Sequence, residues 1–210
     1  MPEYERGERR GVSVALLPLS SELNSLSSGT QPHPSPPEEL DTQTAYFTDK
    51  GRLLFSRLFG LSLQQVMAGK VLDLSTSFDP SAATFKRQKL PTSSKDSLDV
   101  LVPDKPIQLQ DESAEFLLLV DQIVFTPRAQ TTKAGMLGST KEDDSLFLGV
   151  RCKYVLYDNR KGQVAAYGTF EQEKRTLAPT SPKPYQALLG ELATHIVTYS
   201  PMALSGGTQI

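Results

Sequence analysis

The sequence predicts a two-layer α+β domain in which a mixed sheet of about five strands carries its helices on one face. Three observations predict this fold class. The apolar segments follow the order β-α-β-β-β-β-α, two of the later segments alternate like the strands of a hairpin, and the last segment has helical periodicity. The apolar segments of the 210 residues are too few and too dispersed to fill two cores. A single domain over residues 1–210 is therefore expected.

The N-terminal half is predicted to contain a strand, a helix and a second strand. Val12–Leu17 is a short apolar, β-branched run of the kind found in buried strands. A helix capped by Asp41 or Thr42 is predicted to extend to Met67. Gly51 and Gly60 weaken it and can divide it into two pieces, and Ser62 can start it again through a capping box. Lys70–Leu74 forms the second strand. The three elements together can make a parallel crossover.

The C-terminal half is predicted to contain three strands and a helix. Glu115–Phe125 is the most hydrophobic segment and favours a central strand, with a buried helix as its alternative. Leu146–Tyr157 and Gln163–Lys174 alternate on either side of the polar turn Asp158–Gly162, which is typical of a β-hairpin. Tyr185–Val197 has apolar residues at helical spacing and is predicted to pack against the sheet.

Four segments of turn-forming composition are predicted to connect or end these elements. They are a proline-rich connection over residues 20–40, a long loop over 75–111, a connection over 129–145 and a flexible tail over 203–210. A structureless segment as long as 75–111 is uncommon in a compact domain. That segment is therefore either a functional loop or the location of a short strand, for which Val100–Val102 is the best candidate.

Composition excludes several classes of function. The formal net charge of -2 and the pI of about 5.8 argue against a dedicated nucleic-acid binder, which concentrates positive charge. A single cysteine permits neither an intrachain disulfide nor a thiolate zinc cluster. The longest apolar run is far shorter than the roughly 20 residues that span a bilayer. No nucleic-acid partner and no membrane-spanning segment are expected.

Motifs for catalysis, cofactors or metals are missing from the sequence. Neither a phosphate-binding glycine loop nor a nucleophile elbow occurs, so no catalytic residue, cofactor or metal is predicted. His195 is expected at the boundary of the last helix, and Cys152 falls on the apolar face of its strand, where burial suppresses thiol reactivity. A hydrolase or transferase with an unrecognised site remains the alternative, with Cys152 and His195 as its nameable residues.

Two parts of the sequence have the composition of a protein contact surface. The face of the predicted hairpin that carries Arg151 also carries aromatic side chains, and this mixture is common at interfaces. The alternative is that the long loop covers part of that face. Within the loop, Phe85–Lys89 places an aromatic residue beside three cations, which could stack on a base, meet an anionic polymer, contact a protein or simply be solvated. The predicted partner-binding residues are Arg151, Tyr157, Tyr167, Phe85 and Arg87.

Several phrases of the sequence resemble a known group of proteins. These phrases are VALLPLS, FLLLVDQIVF, the hairpin with its turn YDNRKGQVAAYG, and YQALLGELATHIV. They resemble small bacterial envelope lipoproteins. The group includes the penicillin-binding-protein activator lipoproteins, the curli secretion lipoprotein, the amino-terminal domain of the Tol-system translocation protein and the auxiliary lipoproteins of lipid-transport ABC systems. The resemblance covers the packed elements and includes no catalytic signature.

The resemblance implies a non-enzymatic accessory domain that acts by contact with an envelope protein or protein complex. It also implies a periplasmic location with membrane attachment only through a lipid, on a cysteine that would precede Met1. The sequence shows no lipobox, and Cys152 is internal. A cytoplasmic binding domain is the alternative, because a shared fold does not fix function or place.

Overall fold

The computed structural model describes the chain in ten segments. They are residues 12–18, 49–67, 69–75, 77–79, 81, 83–92, 96–109, 114–136, 139–176 and 182–202. The predicted proline-rich connection at 20–40 and the predicted tail at 203–210 lie outside the described residues.

Seven strands and two helices form in the described part of the chain. In chain order they are β1 (Ser13–Leu16), α1 (Asp49–Val66), β2 (Lys70–Asp73), β3 (Phe85–Pro91), β4 (Ser97–Pro103), β5 (Phe116–Met136), β6 (Ser139–Asp158), β7 (Gln163–Thr176) and α2 (Pro182–Thr198).

The main sheet has five strands in the order β2-β1-β5-β6-β7. β1 is parallel to both of its neighbours, β2 and β5, whereas β5, β6 and β7 are antiparallel. The β1-α1-β2 unit is thus the parallel crossover that the sequence predicts. The α+β class and the mixed sheet of five strands are confirmed.

Both helices pack on one face of the main sheet. The core between them contains Phe59 and Leu63 of α1, Leu189 and Leu192 of α2, and the inward side chains of the strands. On β6 these are Leu148, Val150, Cys152, Tyr154 and Leu156, the alternating set expected from the sequence. The prediction that the helices cover one face is confirmed.

The first helix is continuous through the position where a second start was predicted. α1 runs from Asp49 to Val66 without interruption. The Ser62 hydroxyl donates a hydrogen bond to the Leu58 carbonyl oxygen, 2.9 Å away. Because this bond lies within the helix, Ser62 is an interior residue, and the predicted capping box is wrong.

The opposite face of the sheet carries a small second sheet, the hairpin of β3 and β4. It lies within residues 75–111, which are therefore not a long structureless loop. Val100–Val102, the predicted short strand, belongs to β4. The sequence of β3 does not alternate, because Lys86 to Lys89 are all exposed. The prediction of a loop at this segment is wrong for that reason.

The two central strands continue through the predicted connection at 129–145. β5 has 21 residues and β6 has 20, and they pair from Phe116↔Asp158 as far as Met136↔Ser139. The predicted connection is thus wrong for these residues. Since β7 pairs with β6 only as far as Leu146, the described part beyond that point is a two-stranded ribbon.

Candidate partner-binding surface

The buried strand β4 holds the β3-β4 hairpin on the sheet. Leu98, Val100 and Val102 pack with Val155 of β6, whereas Leu101 enters a second apolar cluster with Leu117 and Tyr157. Val100, Leu101 and Val102 are each exposed by 2% or less. Because both faces of β4 are buried from Val100 to Pro103, the hairpin is fixed on the sheet through β4, and β3 is its outer strand.

The outer strand β3 presents its polar side chains to solvent. Four consecutive residues, Lys86 to Lys89, are exposed, so that neither face of this stretch is covered by described residues. Three of the four are cationic, and β3 contains no acidic residue. We call Lys86, Arg87 and Lys89 the basic ridge.

Two lysines of the basic ridge have acidic residues beside them. The Lys86 Nζ lies 2.9 Å from an Asp104 carboxylate oxygen, and this hydrogen bond raises the pKa of Lys86 and lowers that of Asp104. Lys89 stands opposite Asp99 in the β3-β4 register. Both partners lie outside β3, so the outermost strand itself remains wholly basic.

A hydrogen bond from the main sheet fixes the far end of the basic ridge. The Tyr167 hydroxyl on β7 donates to the carbonyl oxygen of Pro91, the last residue of β3. Beyond it, the turn to β4 closes where the Thr92 hydroxyl donates to the Asp96 carbonyl oxygen at 2.7 Å. The hairpin is therefore attached to the sheet at its turn as well as through β4.

A strap at residues 104–107 fixes the other end of the hairpin. The Asn159 side chain accepts from the Ile107 N–H at 2.7 Å and donates to the Ile107 carbonyl oxygen at 2.8 Å. Gly162 closes the neighbouring turn at φ 67°, against the Pro106 ring. A side chain at Gly162 would strain that backbone conformation, which glycine adopts readily.

The five residues predicted to bind a partner divide into three groups. Phe85 and Arg87 lie together on β3. The Phe85 ring is half-buried, with its centroid 6.3 Å from that of Phe78, and Arg87 is exposed. Tyr167 is half-buried beneath the hairpin, where its hydroxyl supports Pro91.

Tyr157 lies under the hairpin, and its predicted exposure is wrong. Its side chain is only 3% exposed, and Val155 on the same face is completely buried. Both are covered because the 75–111 segment packs over this part of the sheet, which is the alternative that the sequence left open. Burial also raises the pKa of Tyr157.

Arg151 occupies a separate part of the same sheet face, beyond the hairpin. Its guanidinium binds both carboxylate oxygens of Glu171 on β7, at 3.3 and 2.9 Å. Both side chains are largely exposed. They line an open groove of about 440 Å³, together with Val124, Thr126 and Gly149. The structure thus does not bring Arg151 into the basic ridge.

The two residues named for a possible enzyme site lie on the helix side of the sheet. Cys152 is fully buried, and this burial raises the pKa of its thiol to about 12. The His195 ring packs among the rings of Tyr154, Phe170 and Tyr199, with centroids 4.7 to 5.9 Å away, and burial lowers its pKa. A protonated thiol is a poor nucleophile at neutral pH.

The described residues contain neither a candidate metal site nor a candidate membrane-spanning helix. No three residues among the described His, Cys, Asp and Glu come together as potential metal ligands. Neither of the described helices has the length and apolar character required to cross a bilayer.

Comparison with known proteins shows a distant similarity to a solved structure. No family model and no curated protein sequence matches the chain. The chain is similar to a solved structure of a minor lipoprotein from Acinetobacter baumannii, with 9% sequence identity, 89% of each chain covered and a TM-score of 0.34. A TM-score at this level does not establish a shared fold.

The basic segment was predicted from the sequence, but three residues that complete its surface were not. Lys86, Lys89 and Pro91 complete the surface, and none of them was among the predicted residues. The signal that could have found them is the partner strand, because the apolar run in SLDVLVP at Ser97–Pro103 requires a strand beside it. The nearest segment of suitable length is Phe85–Pro91.

Proposed function

We propose that the chain is a non-enzymatic accessory protein of the lipoprotein type, which acts in the cell envelope by binding a partner protein through the basic ridge. The observation that carries this proposal is a strand of exposed cations held in place by a partner strand that is buried from Val100 to Pro103. The backbone beneath these residues is already ordered, which reduces the entropy lost on binding and favours recognition.

The known chemistry of Cys152 and His195 supports binding rather than catalysis. A nucleophile and its base need to lie within hydrogen-bond reach of each other, with the nucleophile accessible to substrate. Cys152 is buried with a raised pKa, and the contacts of the His195 ring are with aromatic rings. The hydrolase or transferase alternative thus gains no support from either residue.

The sequence resemblance supports the proposed place of action. Small envelope lipoproteins act in the periplasm, so the partner would be an envelope protein or complex, and the membrane would be reached through a lipid. A cytoplasmic location is the alternative. The net charge of -2 gives no support to a nucleic-acid partner.

Photochemical crosslinking in cells that produce the natural full chain tests this proposal. Gln88 lies between Arg87 and Lys89 of the basic ridge, and Gln65 is an exposed residue of α1. The two glutamines therefore form a matched pair. We expect Gln88→benzoylphenylalanine to give a discrete protein adduct in the envelope fraction, and Gln65→benzoylphenylalanine to give none. Absence of the adduct at position 88, or recovery of the chain in the cytoplasmic fraction alone, would contradict the proposal.

A further inference from the structure

We propose that the basic ridge binds an acidic, extended segment of a partner protein, which adds to the open edge of β3 as a third strand of the small sheet. This inference rests on the proposed function and specifies the chemistry of the partner. It joins two observations, an edge strand without a described neighbour and a charge pattern of one sign along that strand.

The first observation concerns the backbone of β3. All seven residues of β3 pair with β4 on one side, and no described strand pairs with its other side. In an antiparallel pair, about half of the backbone N–H and C=O groups of each strand point away from the partner. Apart from the Pro91 carbonyl, which accepts from the Tyr167 hydroxyl, the outer side of β3 therefore offers backbone donors and acceptors to a further strand.

The charges along β3 restrict which strand could bind there. Lysine and arginine on an edge strand repel most added strands, because the ammonium groups must remain hydrated and like charges repel. An incoming strand with glutamate or aspartate at alternate positions would instead meet Arg87 and Lys89, which share one face of β3, with opposite charge. The same cations that exclude neutral and basic strands thus select an acidic one.

The support of β3 is consistent with a docking strand. β4 is buried on both faces from Val100 to Pro103, Tyr167 holds Pro91, and Lys86 is oriented by Asp104. An added strand would find its template already ordered, which reduces the entropic cost of binding. Pro91 has no N–H, so the edge that can donate ends before the last residue of β3.

Anionic lipid and nucleic acid also carry negative charge, but the open edge favours a peptide. Only a polypeptide supplies alternating N–H and C=O groups at the spacing of a strand. Charge alone would make the ridge a nonspecific anion-binding surface. The test must therefore separate recognition of the backbone from recognition of charge.

Titration of the purified chain with a labelled peptide makes this separation. The probe is an alternating glutamate-threonine peptide of seven residues, which matches the length of β3. A second probe has the same sequence with N-methyl groups on alternate amides, which keeps the charge and removes the donors of one edge. A third probe replaces glutamate with lysine. Fluorescence anisotropy reports the affinity of each peptide.

We expect the acidic peptide to bind, its N-methylated form to bind at least about tenfold more weakly, and the lysine peptide not to bind. The Arg87→Glu, Lys89→Glu variant should lose binding. The matched control is Lys161→Glu, Lys183→Glu, which makes the same change in net charge at exposed positions outside the ridge and should bind normally. Amide resonances of β3 should shift when the acidic peptide binds.

Three outcomes would overturn the inference. They are no binding of the acidic peptide, equal binding of its N-methylated form, and equal loss of binding in the control variant. The second outcome, or tight binding of vesicles with anionic lipid in place of the peptide, would show a surface that recognises charge alone. An adduct at Gln88 without peptide binding would support the proposed function and contradict the added-strand inference. Peptide binding without an adduct would support the added-strand chemistry and contradict the proposed function.

Discussion

The Tyr167 hydroxyl on β7 donates a hydrogen bond to the carbonyl oxygen of Pro91 at the end of β3. This bond joins the edge strand of the main sheet to the outer strand of the small one. Since its acceptor is a backbone atom, the bond depends on the position of the hairpin and is independent of which side chain occupies position 91.

We expect Tyr167→Phe to lower the free energy of unfolding by about 1 kcal/mol, because it removes this hydrogen bond and keeps the ring. Urea denaturation measures the change. Tyr167→Ala should cost more, since the ring packs against the cluster of Leu90, Leu98 and Val100. Equal losses in the two variants would show that the ring contributes nothing and would contradict this account.

Gly168 is the position where Tyr154 requires a glycine. The two residues are cross-strand partners, and a Cβ at Gly168 would lie 2.9 Å from the Tyr154 hydroxyl oxygen. We expect Gly168→Ala to destabilise the fold by about 1–3 kcal/mol through this overlap. Adding Tyr154→Phe should restore part of the loss in a double-mutant cycle, because it removes the nearest atom and leaves two ring carbons at 3.1 and 3.3 Å. Strictly additive effects would mean that the hydroxyl is not a cause.

Asn159 is predicted to hold the strap at residues 104–107. Asn159→Ala leaves both backbone groups of buried Ile107 without their partner, and we expect a loss of about 1–3 kcal/mol. Hydrogen exchange of the Ile107 amide should become faster. Asn159→Asp keeps the acceptor and removes the donor, so its Ile107 amide should exchange more slowly than in the alanine variant.

Cys152 is predicted to make the fold sensitive to alkali. Its thiol has a pKa of about 12 in the folded chain, against about 8.5 when unfolded, so the folded state holds the proton more tightly. The resulting stability is present below the unfolded pKa and is lost as pH rises toward 12. Denaturation of the wild type at increasing pH should show this loss, which Cys152→Ala should reduce.

A second measurement checks the same burial directly. Iodoacetamide should alkylate Cys152 slowly in the folded chain near pH 8 and rapidly in urea. Because burial also raises the pKa of Tyr154 to about 12, part of the alkaline sensitivity should remain in Cys152→Ala. Rapid alkylation without denaturant would contradict the buried position.

His195 is predicted to act in the opposite direction on the pH scale. Burial lowers its pKa, so the folded state binds the proton less readily than the unfolded state. The stability it contributes is present above the ordinary pKa of about 6.5 and is lost as pH falls through the lowered value. An NMR titration of the imidazole should give the lowered pKa, and His195→Gln should weaken the acid dependence of unfolding.

The sequence predicted those elements whose side chains alternate or repeat at helical spacing. β6 and α2 are such elements, because each buries one face and exposes the other. β3 could not be predicted in this way, since it is exposed on both faces over four residues, and β4 is buried on both faces from Val100 to Pro103. The burial of Tyr157 follows from the hairpin and matches the alternative that residues 75–111 cover part of this face.

Only part of the candidate site has a local signal in the sequence. Phe85 and Arg87 were identified because an aromatic residue next to cations is a local signal. The partner groups Asp104, Tyr167 and Asn159 lie far from β3 in sequence, and only the tertiary fold brings them to the hairpin. A single sequence contains no signal for these pairings.

The direction of β1 has a mechanical consequence. β1 is hydrogen-bonded to parallel strands on both sides, and β5 leaves Phe116 toward the tip of the ribbon, about 65 Å away at 3.3 Å per residue. Tension between the residues before Val12 and that tip would run along the strands. Both ladders of β1 would then be loaded in shear, and their bonds would have to break together.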